Sequence, residues 1–204
     1  MRVPAWIRIT AALWAAVILL ILLTLPPATR EAQGFIGGHL RRGAFHIHTS
    51  RSDGGGTRED VARAAAAAGL DFVIITDHGD GTAQPDPPEY INRVLVIDGV
   101  EVTTSAGHYA TFGAQQSPYP LGGPPYAVVE DIARLGGFGA AAHPDSPKAG
   151  LRWRDWNVPV DGFEWINGDS AWRDEGAVTL ARALVGYVFR TGPALAGLVE
   201  PPWR

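Results

Sequence analysis

Two short apolar runs, residues 44–48 and 70–76, flank an alanine-rich stretch, and each leads into histidine: Phe45-His46-Ile47-His48 in the first case, Thr76-Asp77-His78 in the second. Apolar runs of this length, bounded by glycine and polar residues, read as buried strands. Between them Thr57 and Asp60 form a capping box, and residues 58–68 read as a helix closed by Gly69. Strand, helix and strand within about thirty residues make a βαβ unit, with parallel strands and a right-handed crossover. This places the chain in the α/β class. It also puts His48 and His78 at the carboxyl ends of neighbouring strands, where such sheets carry their sites.

Side chains alternate across a strand, so His46 and His48 are expected on one face. Two imidazoles so placed form half of a metal site; the alternative is a pair of hydrogen-bonded core histidines. Asp53 can swing back over the strand end, because Gly54, Gly55 and Gly56 free the backbone of the intervening loop. Further along, residues 93–97 read as a strand followed by Asp98-Gly99-Val100-Glu101-Val102, and residues 107–113 as a strand with His108 near its start. Residues 126–135 read as an amphipathic helix, and the small apolar run 138–142 leads into His143-Pro144-Asp145. A strand at 162–166 and a helix at 174–189 complete the pattern.

Histidines 46, 48, 78, 108 and 143 thus fall at strand starts or ends, and only His39 stands apart, where a solvated role is expected. Cysteine is absent, so a metal here must be held by imidazole and carboxylate. With Glu101 and Asp53 that ligand set suits zinc, manganese or iron. The net charge of -4, with no run of like charges, gives no electrostatic footprint for a nucleic-acid backbone.

The N-terminal segment is of another kind. Residues 9–29 carry no charge, and residues 9–25 are nearly continuous Ala, Leu, Ile, Val and Trp before Pro26-Pro27. At about 1.5 Å per residue this run reaches roughly 25 Å, the short end of a bilayer core. Residues 1–29 are therefore expected to form a transmembrane anchor, with a cleaved signal peptide and secretion as the alternative. Residues 30–43 read as a linker, and residues 44–204 as one metal-dependent domain lying outside the cytoplasm.

His46-Ile47-His48 with Ser52-Asp53-Gly54, then Thr76-Asp77-His78, Gly99-Val100-Glu101, Gly107-His108 and Ala142-His143-Pro144 resemble the ordered motifs of the PHP superfamily, named for polymerase and histidinol phosphatase. The resemblance covers roughly residues 42–190 and implies a distorted (β/α)7 barrel that hydrolyses a phosphate ester with metal-activated water. It implies two or three divalent ions. His46 and His48 would hold the first, His108 and His143 the second, Glu101 would bridge these two, and Asp53 and His78 would hold the third. The catalytic roles would fall to His46, His48, Glu101 and His143. The family's late Asp-x-His pair has no counterpart, since no histidine follows His143, so the barrel is expected to be incomplete at its C-terminal end. Asp169, Asp174 and Glu175 are the available substitutes for its ligands. Asp77 and Asp145 are candidates to orient neighbouring imidazoles, and Arg51 and Lys148 to contact phosphate. The expected partners are a small-molecule phosphate ester and, through the N-terminal helix, a membrane. A catalytically silent metal-binding domain is the alternative, and a nuclease a weaker one.

Overall fold

The computed structural model describes residues 4–24 and 40–189. His39 and most of the expected linker lie outside the described residues. The chain divides into two compact units, one covering residues 34–165 and the other combining residues 1–33 with 166–204.

The second unit contains helix α1 (Ala5–Thr24). Among the described residues no helix is long and apolar enough to cross a membrane, which corrects the expected transmembrane anchor. The physical reason lies at the start of α1. Arg8 sits within its first turns and the Thr10 hydroxyl bonds back to the Trp6 carbonyl, so the unbroken apolar run is confined to residues 11–23. Thirteen helical residues reach only about 20 Å, against a hydrocarbon core of about 30 Å.

Residues 43–163 build a mixed sheet. Strand β1 (Gly43–Ile47) is followed by helix α2 (Arg58–Ala67) and β2 (Phe72–Ile75), which is the expected βαβ unit with β1 and β2 parallel. Thr57 caps α2 by accepting from the Asp60 amide, while the Asp60 carboxylate accepts from the Thr57 amide. Short β3 (Glu89–Ile91) pairs antiparallel with β4 (Val94–Thr104). Then come β5 (Gly107–Phe112), helix α3 (Pro125–Arg134), β6 (Phe138–Ala141) and β7 (Gly162–Phe163). The strand order is β1-β2-β4-β5-β6-β7, with β3 branching from β4.

The long strand β4 changes partners along its length. Its first half runs parallel to β2 and its second half antiparallel to β5. The change falls at Gly99, where a Cβ would lie 2.1 Å from the Thr111 carbonyl oxygen, so only glycine permits the approach. One apolar cluster (Val73, Ile75, Val94, Val96 and the α2 alanines Ala62 and Ala65) fills the first half. A second, with Val102, Tyr109, Val128, Ile132 and Trp153, fills the space under α3.

The distorted and incomplete (β/α)7 barrel expected from the sequence corresponds here to a curled, open sheet in a mixed α/β fold. Seven strands are present, but the sheet is open and curled, β4, β5 and β6 run antiparallel, and no ladder joins β1 to β7 among the described residues. Short hairpin returns join β3 to β4 and β4 to β5, because antiparallel strands need no crossover, whereas the antiparallel pair β5 and β6 is joined through α3. After β7, α4 (Gly168–Ala171), a 3-10 turn (Trp172–Asp174) and α5 (Ala177–Phe189) belong to the unit that contains α1.

Candidate metal centre

All five strand-end histidines converge on one carboxylate. Glu101, in the middle of β4, is completely buried, and each of its oxygens faces a different set of imidazoles. Oε2 lies 3.1 Å from His46 Nε2, 3.0 Å from His48 Nε2 and 3.1 Å from His78 Nδ1. Oε1 lies 2.7 Å from His108 Nδ1 and 3.3 Å from His143 Nε2.

The local structure explains each placement. His46 and His48 do not reach Glu101 by simple alternation. The ladder between β1 and β2 is irregular at His46, whose φ is 64°, and this bulge turns the imidazole inward while His48 follows beyond the strand end. His78 lies past β2 and bridges to Glu101 as an extension of the parallel pairing. His108 pairs with Thr103 and is the diagonal neighbour of Glu101 on the same sheet face, since Glu101 itself pairs with Ala110. His143 follows β6 with φ 43°. Two ligand-bearing residues thus occupy backbone conformations that cost side-chain residues energy, a pattern associated with functional sites.

The carboxylate that completes the cluster was not among the sequence candidates. Glu164, next to β7, accepts from His46 Nδ1 at 2.6 Å and from the His143 amide at 2.7 Å. The signal was weak: Glu164 lies inside the short apolar stretch 162–166 rather than at the end of one. By contrast, Asp169 pairs with Arg173 within one turn of helix, and a helix start is where its charge is favoured. Asp53 lies 2.5 Å from His48 Nδ1 and 3.7 Å from His78 Nε2. Asp77 directs its hydrogen bonds to the neighbouring loop rather than to an imidazole. It accepts from the Thr49 amide at 2.7 Å, the Thr49 hydroxyl at 2.6 Å and the Ser52 hydroxyl at 2.6 Å, which pins the loop that carries Asp53. Arg51 is bound to Asp86 and, at 2.9 Å, to Asp98, so its guanidinium is already engaged by carboxylates.

The donor set fits a divalent cation on grounds internal to the structure. Carboxylates only accept when ionised, so His46 Nδ1 and His48 Nδ1 donate to Glu164 and Asp53, and a neutral ring then turns a lone pair at Nε2 towards Glu101 Oε2. Acceptors facing acceptors at 3 Å need positive charge between them. Glu101 Oε2 and His48 Nε2 are buried without a hydrogen bond, which is the vacancy in bonding that a cation satisfies. Without metal, protons take that part. Burial lowers the His46 pKa, but Glu101 and Glu164 outweigh it and raise it to about 10. Burial likewise opposes the charge on Glu101, yet His108, His46 and His48 hold it well below the carboxylate range. Among the described residues, four groups have ligand atoms close enough to share one ion: His46, His48 and Glu101; His46, His143 and Glu164; His48, Asp53 and His78; and His78, Glu101 and His108.

The ordered motifs of the sequence thus meet, in an open mixed α/β sheet, at one buried glutamate. No protein-family model matches the sequence, and no curated protein is similar to it. Among solved structures, the chain is similar to a Bifidobacterium adolescentis protein for which metal-dependent phosphoesterase activity is conjectured, with 16% identity, a TM-score of 0.48, and coverage of 80% of this chain and 85% of that one. It is also similar to a two-domain Bacteroides vulgatus protein containing a predicted PHP-like metal-dependent phosphoesterase, with 20% identity, a TM-score of 0.41, and coverage of 62% and 44% respectively.

Proposed function

We propose that the protein is a metal-dependent phosphoesterase that hydrolyses a small-molecule phosphate ester. The observation that carries this reading is the convergence of five histidines, from four separate segments, on the two oxygens of buried Glu101. Divalent ions would be held by His46 and His48 with Glu101, by His78 and His108 with Glu101, by His48 and His78 with Asp53, or by His46 and His143 with Glu164. Ions held there supply Lewis acidity towards phosphoryl oxygens and acidify a water near neutral pH.

The chain's own residues supply the rest. Glu101 keeps its negative charge because the surrounding imidazoles stabilise it, so it presents both oxygens as ligands at any working pH. Glu164 and Asp53 fix the rotation of His46 and His48 by accepting from Nδ1, which leaves Nε2 as the ligating nitrogen. Glu164 also anchors the His143 amide, coupling β7 to the loop after β6. The sheet excludes water from the inner ligands, while His78 and Asp53 remain exposed and form the approach for substrate.

The full chain, assayed with p-nitrophenyl phosphate and Mn²⁺ or Zn²⁺, is expected to show metal-dependent hydrolysis that is lost in His46→Ala and Glu101→Ala. An unchanged rate in both variants would overturn the assignment. Bound metal without turnover would favour the catalytically silent reading instead.

A further inference from the structure

Strands β6 and β7 are parallel, and a parallel pair needs a crossover. Residues 142–161 make that crossover without a helix, so something else must hold their path. Packing holds the later part: Trp153 is buried in the cluster under α3, its ring centroid 5.8 Å from that of Tyr109. The earlier part leads away from His143 through turns of its own. The Ser146 amide donates to the His143 carbonyl at 2.9 Å and the Leu151 amide to the Lys148 carbonyl at 3.0 Å.

This segment lies against the turn between β4 and β5, just before His108. The His108 amide donates to the Leu151 carbonyl at 3.2 Å, and the Arg154 amide to the Ala106 carbonyl at 2.8 Å. Between them Gly107 has φ 121°, and a Cβ there would lie 2.5 Å from the Arg152 carbonyl oxygen, so only glycine allows the approach. The Arg154 guanidinium closes the contact from outside. Its Nη2 donates to the Ser105 carbonyl on the turn, at 2.9 Å, and its Nη1 to the Ala149 carbonyl on the segment. A guanidinium's rigid fork can serve two separate acceptors at once, which the single nitrogen of a lysine does less well.

The Leu151 carbonyl also faces His143, at 3.5 Å from Nδ1, while Nε2 of the same ring lies 3.3 Å from Glu101 Oε1. For His46 and His48 a carboxylate accepts from Nδ1. For His143 a main-chain carbonyl stands in that place. A carbonyl only accepts, so a neutral ring that donates to it from Nδ1 keeps its lone pair on Nε2, the nitrogen turned towards Glu101.

Resting on the metal centre of the phosphoesterase reading, we infer that Arg154 is a positioning residue for His143 and His108. By tying Ser105 to Ala149 it holds the Leu151 carbonyl where both histidines use it. Substitution cannot remove that carbonyl, so the dependence falls on the side chain that places it. Arg154 acts through the main chain, since its guanidinium bonds go to carbonyls.

The full chain is compared with Arg154→Ala and Arg154→Lys. Arg134→Ala serves as the control for losing an exposed arginine, since Arg134 pairs with Glu130 and Asp131 on α3. Each protein is titrated calorimetrically with Zn²⁺, and p-nitrophenyl phosphate hydrolysis is measured alongside. Solvent exchange of the His108 amide proton and the His143 Nδ1 proton is followed by NMR in the zinc-loaded protein. Arg154→Ala is expected to bind one ion about tenfold more weakly, with the others unchanged, and to exchange both protons faster. Arg154→Lys recovers part of the affinity, and Arg134→Ala matches the parent. Unchanged zinc affinities in Arg154→Ala, whatever its melting temperature and proton exchange, make Arg154 a brace of the segment alone and overturn the inference. Weakened binding in Arg154→Ala, in a protein whose parent hydrolyses no ester, supports the positioning role and overturns the phosphoesterase reading.

Discussion

The two ends of the ligand cluster are built by different means. At the inner end Glu101, His108 and His143 are buried, and backbone pairing among β4, β5 and β6 fixes where they stand. At the outer end the Asp53 side chain is 68% exposed and that of His78 36%, and the loop holding Asp53 keeps its shape through Asp77 and its bonds to Thr49 and Ser52. A buried carboxylate ringed by imidazoles has no water to fall back on, so removing one charge strands the others. An exposed carboxylate can be replaced by solvent. The inner end is therefore the organising charge, and the outer end the place where ligands can exchange with solvent.

The sharpest way to break this comparison is to neutralise one carboxylate from each end and count ions. Glu101→Gln keeps the shape of the side chain but removes the charge that both sets of imidazoles share. It is expected to abolish tight binding of every ion and to lower kcat/KM by about a thousandfold or more, the scale of losing a preorganised charged group. Asp53→Ala is expected to weaken one ion only, with a loss of about ten- to a hundredfold. Isothermal titration with Mn²⁺ and Zn²⁺ reads both. Equal losses in the two variants would erase the distinction between the ends.

The same contrast separates what was legible in the sequence from what was not. The histidines announced themselves because a histidine at the start or end of an apolar run has few structural reasons to be there, and His46, His48, His78, His108 and His143 share that setting. The helix α2 was equally plain, since its capping box is written in Thr57 and Asp60. The bulge at His46 was not legible: period-2 alternation gives the shared direction of His46 and His48, but the structure reaches it through a positive φ and a broken register that no composition signals. Nor did the sequence show that residues 93–97 and 98–102 form one strand changing partners at Gly99, because the turn signal of Asp98-Gly99 argues for a break. Glu164 escaped notice because its strand is only two residues long and its partner, His46, lies at the opposite edge of the sheet. Such a pairing exists only once the sheet curls.

A smaller effect tests whether the outer end depends on its loop. Asp77→Ala removes three hydrogen bonds made to Thr49 and Ser52 and leaves those of the inner ligands in place. Asp77 has its pKa lowered, since the bonds from Ser52 and Thr49 outweigh burial, and so it is a charged anchor at neutral pH. The expected result is about tenfold weaker binding of the most labile ion, with the tightest ion unchanged in a titration. Weakening of the tightest ion would mean that the loop supports the whole cluster.

The smallest effect is the pH dependence of the metal-free protein, and it bears on the inner end alone. The His46 pKa rises from 6.5 to about 10, because Glu101 and Glu164 outweigh the opposing effect of burial. A raised folded-state value stabilises fully below 6.5, and the benefit is lost as pH climbs through about 10. Glu101 is displaced in the other direction. It stabilises fully above its ordinary 4.5, and that benefit is lost as pH falls towards its depressed value. Both contributions are complete together only between pH 4.5 and 6.5. In a chelator, thermal unfolding is therefore expected at higher temperature at pH 6 than at pH 9, by a few degrees, the scale of about 1 kcal/mol in a chain of this size. Glu164→Gln, which removes one of the charges raising His46, is expected to shrink the difference, whereas Asp53→Asn leaves it nearly intact because exposed pairs contribute little. Metal reverses the trend, since its ligands must give up protons to bind it and its hold strengthens as pH rises. A metal-free protein equally stable at both pH values would show that protons do not take the cation's part around Glu101, and would remove the electrostatic basis for calling the inner end the organising one.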